Sequence, residues 1–181
     1  MTTVTAYAAL LRGVNVGGHR KVPMADLREV AAGLGWRDVR TYLASGNLVF
    51  TTDTAPTSEL AAMLEAALAA RFGFPVPCLV RTGAELAATV KRRPFPAADE
   101  QPTRVLVYFL DSPPDGERLA ALDASAFGDE EFRVLGREVH AWYPDGQGRS
   151  RLADALSKAL GDRVHTSRNW RTVTTLAQWT A

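Results

Sequence analysis

Apolar residues recur along this chain in two spacings, and the switches between them mark short alternating elements. Val4 to Leu11 is apolar at nearly every position, the mark of a strand buried on both faces. Pro23 then opens a predicted helix in which Leu27, Val30, Ala31 and Leu34 form one stripe at i, i+3, i+4 and i+7, and Gly35 ends it. Val39 to Leu43 and Leu48 to Thr51 predict two strands around a Ser45-Gly46-Asn47 turn. Ser58 is the expected cap of a second helix carrying Leu60, Leu64, Ala67 and Leu68. Val76 to Val80 predicts a further strand, and a helix over 82–92 trails it.

The second half repeats this order. Val105 to Leu110 predicts another central strand, and Leu119 and Leu122 mark a weak helix. Phe132 to Leu135 and Val139 to Tyr143 form a hairpin around Gly136-Arg137. Leu152, Leu156, Ala159 and Leu160 mark a helix, Val164-His165 a short strand, and Trp170, Val173 and Ala177 a last helix. Between the halves, Arg92 to Pro102 holds three prolines and charges of both signs, which reads as a linker. The expected organisation is a first unit over 1–91, a Pro-rich linker over 92–103, and a second unit with a C-terminal helix over 104–181. Each half reads βαββαβ, so the predicted fold class is α+β: two ferredoxin-like units with mainly antiparallel sheets.

Composition narrows the function classes. With 46% apolar and 23% charged residues over 181 positions, the chain can bury a sizeable core. The net charge of +1 gives no global field for nucleic acid or membrane. The charge is uneven, with seven acids and one arginine from Asp111 to Glu131, and six cations and two acids from Arg149 to Arg171. One cysteine, Cys78, rules out an internal disulfide framework. No stretch approaches the roughly 20 apolar residues of a membrane helix. The N-terminal residues lack a signal peptide's pattern, so the expectation is a cytoplasmic protein without a membrane partner.

The chemistry concentrates in Leu11-Arg12-Gly13-Val14-Asn15-Val16-Gly17-Gly18-His19-Arg20-Lys21, which follows the first strand and has no acid until Asp26. Gly13 to Gly18 has the outer spacing of a phosphate-binding P-loop, but His19 and Arg20 stand where that loop needs Lys and Ser or Thr. A GxGxxG dinucleotide fingerprint is also absent. Two readings stay open. The glycines serve positive-φ positions in a long turn, or the loop is a non-Walker anion site in which backbone N–H groups form a nest and Arg12 and Lys21 supply charge. In a ferredoxin-like unit the first and second strands end at one edge, so this loop and Ser45-Gly46-Asn47 are expected together. Asn15 either orients a ligand or caps its own turn.

Thr166 to Thr172 is expected to open the last helix, with Ser167 or Asn169 as its cap. Arg168 and Arg171 would then lie at a helix N-terminus, where cations need an anion or a carboxylate to compensate them. Trp170 reads as a core anchor, Cys78 as a small buried residue, and His140 as lying on an outer face. The three histidines show no ligand spacing, so no metal and no cofactor are expected.

The stretch ALLRGVNVGGHRKVPMADLREVAAGLGWRDVRTYLASGNLVF resembles the opening of a bacterial family, domain of unknown function 1697, and TSRNWRTVTTLAQW is similar to that family's closing motif. The resemblance implies a cytoplasmic α+β protein with ferredoxin-like repeats, and it implies no activity. Its motif positions here are Arg12, Gly13, Asn15, Gly17, Gly18, Ser45, Gly46, Asn47, Arg168, Asn169, Trp170 and Thr172. The expected ligand set is these residues without Trp170, together with Lys21 and Arg171, and it would hold a phosphate-bearing small molecule or a nucleic-acid backbone. The alternatives are an enzyme on a small anionic substrate, with Ser45, His19 or Asn15 doing chemistry, and a structural role in which the motifs clasp the repeats. RNA binding would require exposed aromatics on the sheet, for which Tyr7, Tyr42, Tyr108 and Tyr143 are the candidates.

Overall fold

A computed structural model describes residues 2–181. The chain divides into two compact units. One runs to Lys91 and takes in Thr174–Ala181, and the other is Arg92–Val173.

The first unit contains β1 (Val4–Leu11), α1 (Met24–Gly33), β2 (Arg37–Tyr42), β3 (Asn47–Asp53), α2 (Thr57–Phe72), β4 (Cys78–Thr82) and α3 (Gly83–Arg92, whose last residue belongs to the second unit). Its sheet has the order β2-β3-β1-β4, and every neighbouring pair is antiparallel. Tyr7, Ala9 and Leu11 alternate onto one face of β1 and pack with Leu27 and Ala31 of α1 and Leu60, Leu64 and Leu68 of α2. Trp36 stacks on Phe50 at 3.8 Å in the same core. Ala8 and Leu10 on the other face are buried as well, which accounts for the apolar run from Ala6 to Leu11. Pro56 rather than Ser58 is the N-cap of α2, with no side-chain capping bond, because the helix begins at Thr57.

The second unit repeats the order with α4 (Ala97–Glu100), β5 (Val105–Leu110), α5 (Gly116–Ala120), β6 (Glu131–Leu135), β7 (Glu138–Trp142), α6 (Arg151–Leu160), β8 (His165–Asn169) and α7 (Trp170–Trp179), which runs on into Thr174–Ala181. Its sheet is β6-β7-β5-β8, the same permutation, again antiparallel throughout. This repeated split βαβ arrangement makes the fold a duplicated ferredoxin-like α+β structure. Leu106, Tyr108, Leu119, Leu152 and Leu156 form its core.

Three further sequence expectations change here. The 92–103 segment is not an open linker: it carries α4, and Phe95 and Ala98 are buried. The segment from Thr166 to Asn169 lies on β8, so Arg168 is a strand residue and α7 starts only at Trp170. His140 is not solvent-facing. It points away from Val139 and Ala141, but that face is buried too, and His140 is 0% exposed.

Burial also settles the thiol's character. Cys78 Sγ donates to the Val76 carbonyl at 3.3 Å, and burial, with the Glu65 carboxylate nearby, pushes its pKa far above the usual thiol range. The nucleophilic thiolate is therefore suppressed. Thiol reagents are expected to modify Cys78 only at the rate of local or global opening, and fast labelling of the folded chain in a stopped-time assay would contradict this burial.

Candidate functional site

The glycine loop folds as a small hairpin. Val16 and His19 form an antiparallel bridge, and Gly17 and Gly18 between them have φ of 59° and 77°. Two successive positive-φ residues make a type I′ turn, which glycine adopts without steric cost. Gly13, Asn15 and Arg20 are also at positive φ. The loop's glycine content is thus accounted for by its backbone path. Its cations are not.

Asn15 pins the base of this hairpin. Its Nδ2 donates to the carbonyls of Val22 at 2.9 Å and Ala44 at 2.7 Å, and the Val22 N–H donates to its Oδ1 at 2.8 Å. The amide is occupied by backbone, which makes Asn15 a clasp between the glycine loop and the β2–β3 turn. Asparagine also tolerates the left-handed backbone it adopts here. Replacing it by alanine removes three bonds and strains φ. The expected loss is about 2 kcal/mol, read by thermal unfolding. A silent Asn15→Ala would show that the clasp does not hold the loop.

The second turn is held the same way. The Leu11 N–H donates to the Gly46 carbonyl at 2.9 Å. Asn47 is 0% exposed, and its Nδ2 donates to the Tyr42 carbonyl at 2.8 Å and to Ser45 Oγ at 3.0 Å. The edge predicted from strand order is therefore real, and the two turns are physically joined. Ser45 is exposed, and its hydroxyl accepts from Asn47.

Around this clasp, Arg12, His19, Arg20 and Lys21 are all exposed. Among the described residues none of them makes an ion pair, while the nearest acid in sequence, Asp26, is taken up by Arg71 at 3.3 Å. The Arg20 guanidinium lies 4.0 Å from where a Cβ on Gly13 would stand. A cleft of about 400 Å³ opens beside the hairpin, lined by Asn15, Gly18, Lys21, Val22, Pro23, Met24 and Ala44. Pro23 provides no side-chain cap for α1, so that helix's positive end also borders the cleft.

The C-terminal motif belongs to the second unit and has local structural roles there. Asn169 Oδ1 accepts from the Thr172 N–H at 3.0 Å and so caps α7. Arg168 is 7% exposed, its Nη1 donates to Thr166 Oγ1 at 2.7 Å and to the Ser167 carbonyl at 2.8 Å, and burial pushes its pKa down to about 10. Arg171 is exposed, Thr172 is buried, and Trp170 is a buried anchor 6.1 Å from the His140 ring.

Sequence reasoning missed one polar group. In the second unit His140 Nε2 lies 2.8 Å from Glu138 Oε2, Glu138 Oε1 lies 3.6 Å from Arg92, and His140 Nδ1 has no hydrogen-bond partner among the described residues. Alternation with Val139 and Ala141 put His140 on an outer face, and Glu138 shares that face. Nothing in the local pattern signals that this face is covered.

The fold and this loop define a class before they define a relative: a duplicated ferredoxin-like protein with clasped first turns. Within that class the chain belongs to a protein family of unknown function (DUF1697), whose model matches residues 4–140. The glycine loop and the Ser45-Gly46-Asn47 turn lie inside the match, and the segment from Arg168 to Thr172 lies beyond it. Among solved structures the chain is similar to the conserved bacterial protein SP0830 from Streptococcus pneumoniae, at 25% identity and a TM-score of 0.78 over 99% of this chain and 100% of that one. No curated protein matches. Among the described residues no helix is long and apolar enough to cross a membrane, and no group of His, Cys, Asp or Glu gathers that could hold a metal.

Proposed function

We propose that the chain is a binding module for a phosphate-bearing small molecule, taken up at the Arg12–Lys21 loop. The observation that supports this most is the set of exposed cations without a carboxylate partner on a hairpin beside a cleft. The glycines, Asn15 and Asn47 are already explained by the backbone they build, whereas three fixed cations on one loop, Arg12, Arg20 and Lys21, repel one another unless an anion joins them. Arginine and lysine both suit phosphate, the first through its bidentate fork and the second as a point charge.

A nucleic-acid backbone is a weaker fit. Ferredoxin-like RNA binders stack bases on an open sheet face. Here Tyr7, Tyr108 and Tyr143 are buried, and Tyr42 packs edge-on against Trp179 at 5.5 Å. The architectural reading is favoured by one specific fact, the saturated amide of Asn15, and it accounts for the clasp but not for the charge.

The test is a thermal-shift panel of inorganic phosphate, sulfate, nucleotides and phosphosugars on the wild type and on an Arg12→Ala/Lys21→Ala double variant. A ligand at 100 times its dissociation constant stabilises by about 2.7 kcal/mol, a rise of roughly 5–10 °C for a chain of this size. The reading predicts a rise in the wild type that the folded double variant lacks. A panel without any rise leaves the loop as architecture.

A further inference from the structure

The cleft beside the loop limits what an anion bound there can carry, and this inference rests on the anion-binding reading. Its walls are of two kinds. Gly18 and Lys21 supply an exposed N–H and a cation, whereas Val22, Pro23, Met24 and Ala44 supply apolar surface. The one polar side chain on the apolar side, Asn15, spends both its donors and its acceptor on the backbone of Val22 and Ala44. Hydroxyl groups buried against that wall would lose water and find no side-chain partner, which costs free energy. A flat apolar body loses nothing and gains contact with Met24, whose flexible thioether adapts to an aromatic edge. The volume of about 400 Å³ lies near the lower end of ligand clefts, roughly 300–1,000 Å³, so it suits one phosphate with a one- or two-ring body and not a dinucleotide or a polymer.

We infer that the ligand is a phosphate monoester of an aromatic or similarly flat apolar group, with its phosphate at Gly18 and Lys21 and its ring against Val22, Pro23 and Met24. Recognition then has two separable parts, charge at the rim and apolar contact within.

The experiment compares three probes on the full chain by titration calorimetry or amide NMR: inorganic phosphate, glucose 6-phosphate and 1-naphthyl phosphate. The inference predicts that naphthyl phosphate binds at least about tenfold tighter than the other two, which corresponds to burying about 55 Å² of apolar surface at 25 cal/mol per Å². Met24→Gln, a good helix former at an only partly buried position, is expected to bring that ratio towards one. If all three probes bind alike, or the preference survives Met24→Gln, the inference falls while the anion-binding reading stands. If none of the three binds, both fall.

Discussion

Gly46→Ala is expected to destabilise the fold by about 3 kcal/mol and to lower the melting temperature of the 181-residue chain by roughly 6–12 °C. Two costs add. Gly46 has φ of 88°, where an L side chain costs about 1–2 kcal/mol. Its new Cβ would also stand 2.8 Å from Leu11 Cβ and 3.0 Å from Val14 Cγ2. Leu11 Cβ is the root of a buried strand side chain and cannot swing aside, so overpacking contributes about 1–3 kcal/mol more. Gly35→Ala is the matched control, since Gly35 has φ of 80° but nothing within 4 Å of its would-be Cβ. It carries the backbone cost alone. Equal losses for the two variants would show that the glycine loop and the β2–β3 turn are not packed as described. Because the clash falls on Leu11 and Val14, the amides around the loop should also exchange faster in Gly46→Ala.

Glu138→Ala carries the other large effect, about 3 kcal/mol in the second unit. Removing one partner so that a buried polar group is left desolvated and unsatisfied costs about 1–3 kcal/mol, more where a charge is involved. Here His140 loses the partner that its Nε2 has among the described residues, at a fully buried site. The attraction between Glu138 and Arg92 at 3.6 Å is lost as well, but Arg92 is 39% exposed and its share is small. Glu138→Gln retains an acceptor oxygen for His140 and should cost less than half as much in chemical denaturation. An alanine variant no less stable than the glutamine variant would mean that the pair contributes little.

How much of this was legible beforehand follows from which forces are local. The bounds of β1 and β5 came from nearly continuous apolar runs, because β5 and the second part of β1 are buried on both faces. The meeting of the glycine loop with Ser45-Gly46-Asn47 followed from topology alone, since the first and second strands of a split βαβ unit run parallel and end together. What failed depends on partners remote in sequence. Arg168 looked like a residue of the last helix's first turn, while pairing with β5 draws Thr166 to Asn169 into the sheet and leaves Asn169 as the cap that was expected. Phe95 and Ala98 sit among prolines and charges, so their burial leaves no periodic trace. Asn15 shows the same limit within the candidate site. Its residue type fitted either a ligand contact or a turn cap, and only the distances to Val22 and Ala44 assign it to the clasp.

The central claim is that the charge on the loop exists for an anion, and amide NMR of the full chain titrated with inorganic phosphate at constant ionic strength tests it most directly. The account predicts saturable shifts of the Gly13, Gly17, Gly18 and Lys21 amides that Arg12→Ala/Lys21→Ala abolishes. Linear or scattered shifts up to roughly 20 mM phosphate, well beyond the millimolar range of a weak site, would contradict it.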